Sequence, residues 1–227
     1  FTPDFAQENL NKHFSTKSLK GFGVEGLDVG VVAAGAILHY LSETQNDKLG
    51  HITAISRIEE DKYVWLDQFT LRNLELIYSP HQNATTLADI LDQTYTAMGG
   101  RMMKRWIVLP LKHVQPIQER QDAVAFLKEK EDATYELTQH LREIGDLERL
   151  ISKVAVGKVN PKEVMQLKRT IKQMDPIKQL LNNSGTLLID KIADQLNPCH
   201  KLIELIETTL SSDPAIQVGK GPVIADG

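Results

Sequence analysis

The sequence predicts a mainly α-helical fold, an elongated helical bundle carrying one small β-hairpin. Three observations carry that prediction. From Pro116 onward, apolar residues recur every three or four positions in narrow stripes, each closed by a stop signal and reopened by a cap. Narrow stripes suit long antiparallel helices better than a thick globule. Between His51 and Leu66, by contrast, β-branched and aromatic residues gather on both sides of Glu59-Glu60-Asp61, the pattern of a hairpin. No fixed period repeats along the chain, so a solenoid is not expected.

The 227 residues are 41 % hydrophobic and 25 % charged, enough for a sizeable core in one elongated domain or one and a half. A net charge of −4 argues against a chain that lives on phosphate contacts. The single cysteine, Cys199, excludes an internal disulfide and fits a reducing, cytoplasmic setting. The longest apolar run, Val29 to Leu38, is too short to cross a bilayer, so no membrane role is expected. The chain opens at Phe1 without an initiator Met, inside what reads as an ongoing segment, and is therefore expected to be a piece of a larger protein.

In chain order, Phe5, Leu10 and Phe14 mark an amphipathic helix near the start, followed by a glycine-rich loop at Lys20 to Gly26. Asp28 should cap a long helix reaching Gln45. Its residues Val31, Val32, Ala34, Ala36, Ile37 and Leu38 are apolar nearly all round, which signals burial. Gly30, Ala33, Ala34, Gly35 and Ala36 would admit another backbone at close range. The polar stretch from Thr44 to Gly50 reads as a domain boundary. After the hairpin, Asp67 should cap a short helix over Gln68 to Ile77, and Pro80 and Asn83 place a turn at Ser79 to Thr86.

The stretch from Asp92 to Pro110 organises the rest. Gly99 and Gly100 should precede its helix, and Pro110 cannot continue it. Met98, Met102, Met103, Trp106 and Leu109 recur at helical spacing on one side, the material of a structural hub. Arg101, Lys104 and Arg105 lie together on the other. A core helix with a solvated basic face is the plainer account, and contact with a partner or a phosphate is the alternative.

Downstream, Pro116 suits a helix start, and Ile117, Val124 and Leu127 form a stripe. Leu137, Leu141 and Ile144 form the next. Gly145 and Asp146 make a matched stop and start, as C′ glycine and N-cap. Leu147, Leu150, Ile151 and Val154 follow. Asn160-Pro-Lys-Glu163 supplies a cap, a proline at N1 and an acid at N3. Val164, Leu167, Ile171 and Met174 continue that helix until Asp175-Pro176 interrupts it. Ile189, Ile192 and Leu196 form a further stripe, ended by Asn197-Pro198. Cys199, Leu202, Ile206 and Leu210 make the last, broken at Ser211 to Pro214, and Ala215 to Gly227 shows no helix.

Little of this carries chemistry. A phosphate-cradling loop needs Gly, four residues, then Gly-Lys-Ser/Thr. The only Gly-Lys pairs, Gly157-Lys158 and Gly219-Lys220, lack both the hydroxyl residue after them and a glycine at the right distance before them. Neither catalysis nor a bound cofactor is therefore expected in this chain. No two of the seven histidines have helical metal-ligand spacing, and on a helix Cys199 and His200 would diverge by roughly 100°, so no metal is expected. The acids at 59–61 and 129–132 read as solvated surface. Arg72 and Asn73 give the helix after Asp67 more polar groups than a core helix needs. Tying of the hairpin to the bundle is the first reading there and partner contact the second. Arg149 and Lys153 form an i, i+4 pair of like charge near Arg142 and Glu148, where a phosphate contact is conceivable.

Four stretches, in one order over essentially all 227 residues, resemble the MutS family of DNA mismatch recognition proteins. Leu19 to Glu25 together with Ala33 to Gln45 resembles the end of that family's connector domain, and Leu66 to Leu76 resembles the start of its core domain. Thr96-Ala-Met-Gly-Gly-Arg-Met-Met-Lys-Arg-Trp-Ile-Val-Leu-Pro-Leu111, followed by Arg120-Gln-Asp-Ala-Val124, is the most specific match. Gly145-Asp-Leu-Glu-Arg-Leu-Ile151 is the fourth. Ala97 stands where proline is usual, which bears only on how that helix starts. The family's mismatch wedge, Phe-x-Glu, is not among the six phenylalanines, nor is its P-loop present, and Gly221 to Gly227 resembles the segment before the DNA clamp.

The resemblance implies a layout and a role. Residues 1–50 would be the C-terminal remnant of an α/β connector domain. Residues 51–227 would be the first part of the core and lever, with the clamp, the rest of the core and the ATPase elsewhere. The role implied is structural and signal-transmitting, coupling mismatched-DNA binding to a distant ATPase. ATP and Mg would belong to the full-length parent, itself a homodimer bound to double-stranded mismatched DNA. The other domains of the same polypeptide would be the partners of this chain. On this reading Arg101, Lys104, Arg105 and Arg149 are candidate partner or phosphate contacts, and Met98, Met102, Met103 and Trp106 the structural hub. A free-standing helical protein-interaction module is the alternative.

Overall fold

The computed structural model describes residues 2–45 and 49–225. Part of the polar stretch expected to be a boundary, residues 46–48, and the last two residues of the tail lie outside them. The chain divides into two compact units, Phe1–Glu59 with Ile151–Val159, and Glu60–Leu150 with Asn160–Gly227. Helices dominate both.

In the first unit, α1 (Pro3–His13) opens with Thr2 accepting from the Phe5 amide at 3.3 Å, with Pro3 in the first turn. A single 3-10 turn, Leu19–Phe22, follows, and Gly23 and Gly26 adopt the left-handed backbone that closes the loop. Helix α2 (Asp28–Gln45) begins one residue earlier than expected, with Asp28 inside its first turn rather than at the cap. The small residues of α2 do what their size suggests. A Cβ on Gly35 would lie 2.7 Å from the Ala6 Cβ, and Ala6 of α1 is fully buried. Leu10, Leu19, Val24, Leu38 and Leu49 form the core here, with Phe14 and Phe22 in ring contact at 4.8 Å.

Burial of α2 on all sides is not observed. Val29 is 84 % exposed, and Ile37 and Tyr40 are exposed as well. One helix, α1, covers one face only, so an all-round apolar sequence leaves the other face open.

The expected hairpin is absent: residues 51–58, which belong to the first unit, form no strand, and in the second unit Glu60–Lys62 is a 3-10 turn. The second arm pairs instead with the segment around Leu111. The Val64 amide donates to the Pro110 carbonyl at 2.8 Å, the Lys112 amide to the Lys62 carbonyl at 3.1 Å, and Tyr63 and Leu111 form an isolated antiparallel bridge. The β-branched pattern was real, but the partner of Tyr63 is Leu111, 48 residues on, rather than an adjacent arm.

Helix α3 (Gln68–Asn73) starts as expected, with the Thr70 amide donating to Asp67 at 2.7 Å. It ends short of Ile77. Glu75 turns left-handed, and the Glu75 and Leu76 carbonyls accept from the Leu87 and Ala88 amides of α4 (Leu87–Leu91) at 3.1 and 2.9 Å. Those carbonyls satisfy the first turn of α4 instead of extending α3. A reciprocal capping box between Thr86 and Asp89 completes the start of α4.

Helices α5 (Ala97–Val108), α6 (Val114–Glu129), α7 (Glu131–Arg142), α8 (Leu147–Ala155), α9 (Pro161–Lys172), α10 (Met174–Leu181), α11 (Leu187–Gln195) and α12 (His200–Thr209) follow. Ala123, Ile177, Leu181, Ile189 and Ala193 form the core, with Leu127, Leu137, Leu141 and Ile144 packed against it. Burying each large aliphatic side chain here stabilises by about 1.5–3 kcal/mol. Asn160 and Glu163 cap α9 reciprocally at 3.0 and 3.1 Å, as their spacing predicts. The helix breaks at Gln173, just before the predicted point, because Pro176 then falls in the first turn of α10, where its missing N–H is harmless.

Gly145 is not the left-handed C′ glycine its position suggests. Its amide donates to Oγ1 of the fully buried Thr170 at 3.0 Å, and a Cβ there would lie 2.8 Å from Gln166 Nε2. Glycine is needed for close approach. Beyond α12, the chain returns on itself: the Ser211 amide reaches the Val223 carbonyl, Ala215 the Pro222 carbonyl and Ala225 the Thr209 carbonyl, at 2.9–3.0 Å. Leu210 and Ile224 bridge across this neck, and Pro214 is buried within it.

Candidate functional site

Helix α5 and its surroundings gather most of the singled-out residues. Its cap is Thr96, whose Oγ1 accepts from the Gly99 amide at 3.0 Å. Gly99 and Gly100 therefore lie inside the first turn, not before the helix. The space beside them explains their size. A Cβ on Gly99 would be 3.0 Å from Thr96 Oγ1, and one on Gly100 would be 3.0 Å from Asp92 Oδ2. Asp92 itself accepts from the Thr94 hydroxyl at 2.6 Å and the Thr94 amide at 3.2 Å, which together hold its carboxyl below the usual range. At the other end, Pro110 stops the helix and passes its carbonyl to Val64.

No residue of α5 is fully buried. Met98 and Met103 are half-buried, while Met102 and Trp106 are exposed, at 55 % and 41 %. The apolar and basic residues do not occupy opposite sides either. Arg101 and Arg105 line the same open cleft of about 860 Å³ as Met98, Met102 and Trp106. At 100° per residue, Arg105 falls beside Met98 and Met102 on the helix surface rather than across from them.

The four candidate cations are held in different ways. Arg101 donates from Nη1 and Nη2 to the two oxygens of Asp146 at 3.0 and 2.7 Å, and from Nε to Glu148 at 2.8 Å. This fork grips one carboxylate bidentately and touches a second. Its hydrogen bonds hold the Asp146 carboxyl below the usual carboxylate range and raise Arg101 further above its own. Arg149 donates its backbone amide to Asp146 at 3.3 Å, so that acid also caps the start of α8. Lys104 adds its charge to the hydrogen bonds from Thr86 and Thr94 that hold Asp89 and Asp92 ionised. Arg105 has no ion pair among the described residues.

One residue escaped the sequence reading of this site. Arg120 of α6 lays its guanidinium over the Trp106 ring, 3.5 Å from the centroid, a close cation–π stack. Partial burial pushes the Arg120 pKa down, opposed by the nearby Tyr63. The only available signal was the arginine in the second half of the most specific family-like motif. Taken together, these groups hold elements of the second unit in place. Among the described residues, no group of three or more His, Cys, Asp or Glu could hold a metal ion, and no helix is long and apolar enough to cross a membrane.

Comparison with known proteins identifies the lineage. The family model of MutS domain III matches residues 69–226, and that of MutS domain II matches residues 1–53. Over all 227 residues the chain is 49 % identical to the DNA mismatch repair protein MutS of Flavobacterium johnsoniae, 49 % to that of Parabacteroides distasonis and 48 % to that of Cytophaga hutchinsonii. It spans 26 % of the length of each of these relatives. The two domain matches, in this order along one chain, show that the protein belongs to the MutS family.

Proposed function

We propose that this chain is the structural and signal-transmitting segment of a MutS-like mismatch recognition protein. In the longer polypeptide it couples the binding of mismatched double-stranded DNA to ATP hydrolysis at a distant site, where ATP and Mg act. Residues 1–50 serve as the end of the connector domain and residues 51–227 as the first part of the core and lever. The parent works in the cytoplasm as a homodimer. The observation that supports this reading best is the fastening of α5 to the start of α8 by Arg101, Asp146 and Glu148. A bidentate guanidinium fork fixes orientation as well as distance, which is what a strut requires and a solvated basic face does not.

The lever itself is α9. Its start is locked by the capping box and Pro161, and Met165, Thr170 and Ile171 are buried. Two glycines inserted between Gln166 and Leu167 of the full-length protein interrupt that rod. Mismatch binding and basal ATP hydrolysis should both persist, while the change in hydrolysis caused by mismatched DNA is lost. Intact coupling in a folded variant would overturn the proposal. A free-standing interaction module is the competing reading, favoured by exposed Trp65 and Phe69 at 63 % and 78 %. It requires self-association through such surfaces to persist in the full-length protein.

A further inference from the structure

Arg101, Arg105, Trp106 and Arg120 line the cleft beside α5, with the Arg120 guanidinium stacked on the Trp106 ring. Only Arg101 is answered by acids, Asp146 and Glu148. Arg120 has an aromatic ring beneath it and no carboxylate partner among the described residues, and Arg105 has no ion pair. Two guanidinium groups of the cleft are thus without a carboxylate among the described residues. We propose that the Arg105–Arg120 side of this cleft is an anchor for a single carboxylate, carried on an apolar segment of the same polypeptide that lies outside these 227 residues.

Three features select that occupant. The first is charge: two guanidinium groups without a carboxylate can share one incoming carboxylate, whereas a nucleic-acid backbone brings a row of negative charges. Glu148, which lines the same cleft, would repel such a row. The second is composition. Tyr63, Met98, Met102 and Trp106 share the cleft with the arginines. Aromatic, methionine and arginine side chains together are the mixture that concentrates binding energy in protein–protein contacts. The third is supply. Relatives covered over only 26 % of their length have most of a polypeptide left to furnish the segment. A guanidinium already stacked on an indole is held in one plane, so a carboxylate meets a preset fork instead of ordering a free side chain. The inference does not depend on transmission along α9 and stands or falls separately.

Zero-length cross-linking with a carbodiimide, on the full-length protein carrying Arg105→Lys or Arg120→Lys, tests it. Both substitutions keep the positive charge and supply an amine that condenses with a carboxylate in direct contact, releasing the activated acid's urea by-product. Peptide mapping should show each variant joined to one and the same Asp or Glu outside residues 1–227, at least tenfold above the adducts of the exposed native Lys104. Adducts only to acids within the 227 residues overturn the proposal. So does a cross-link that proves intermolecular when isotopically labelled and unlabelled proteins are mixed, which would assign the cleft to a second copy. Loss of mismatched-duplex affinity in Arg105→Ala and Arg120→Ala, with a reduced salt slope and no specific cross-link, would make it a phosphate site and also overturn it.

Discussion

Helix α5 buries none of its side chains completely, whereas α6, α10 and α11 close on one another through Ala123, Ile177, Leu181, Ile189 and Ala193. Both regions belong to the same unit, yet different forces place them. The core is set by the non-directional loss of apolar surface from water. Helix α5 is positioned by directional contacts: the Thr96 cap, the Arg101 fork, the Trp106–Arg120 stack and the backbone pairing after Pro110. The most family-like sequence thus sits where orientation is specified, and the less distinctive sequence sits where volume is filled. Many aliphatic combinations fill a volume, but few residues make a bidentate fork at the right angle.

The contrast can be broken by mutation, and the largest effect should come from the core. Ile189→Ala removes a side chain that is 3 % exposed and should cost about 2–5 kcal/mol, read as a lower urea midpoint. Gly145→Ala should cost about 1–3 kcal/mol, because the added methyl meets Gln166 and the buried Thr170. If Gln166 swings away freely, the loss falls to the bottom of that range. Asn160→Ala removes the cap of α9 and should cost about 1 kcal/mol in the same titration. Met102→Ala, in α5, should change stability by less than about 0.5 kcal/mol, since that side chain is half exposed. A core-sized loss there would erase the distinction between the two regions.

The subtlest test concerns the fork. Asp146 has a folded pKa below its unfolded value, chiefly through its hydrogen bonds with Arg101. The ionised form is therefore the one the fold favours. Its contribution is present above the unfolded carboxylate value, near pH 4, and is lost as pH falls through the lower folded value. In Arg101→Gln the Asp146 carboxyl, followed by NMR, should titrate closer to the usual range, and the acid limb of the stability profile should lose that part of its slope. An unchanged titration would mean that the fork does not hold in solution.

What could be read from sequence follows the range of the interactions. Asn160 to Glu163 and the Asp67 cap were legible because each signal and its consequence lie within four residues. Gly35 was legible as a point of close backbone approach, though not that Ala6 is what approaches, whereas Gly145 was read as a helix stop and instead serves Thr170, 25 residues away. The hairpin failed for the same reason, since the arm at Tyr63 pairs with Leu111. Around α5, periodicity gathered the right residues but sorted them onto two faces, because binary hydrophobic patterning treats arginine as a solvent-facing group. Here Arg101, Arg105 and Arg120 line one cleft with two methionines and a tryptophan. Asp146, 45 positions from Arg101, gave no local hint of its role beyond being a helix cap.

The neck after α12 has a consequence for how such chains can change length. Thr209 to Ser211 and Val223 to Ala225 are stitched together by backbone bonds, with Leu210 and Ile224 opposite each other. The ends of the intervening loop are thus fixed by contacts that the loop's own length does not enter. Closure cost grows only slowly with length, each doubling adding about 0.6 kcal/mol. Lineages can therefore gain or lose residues between 216 and 221, distal to the buried Pro214, without re-aiming α12 or whatever follows the neck.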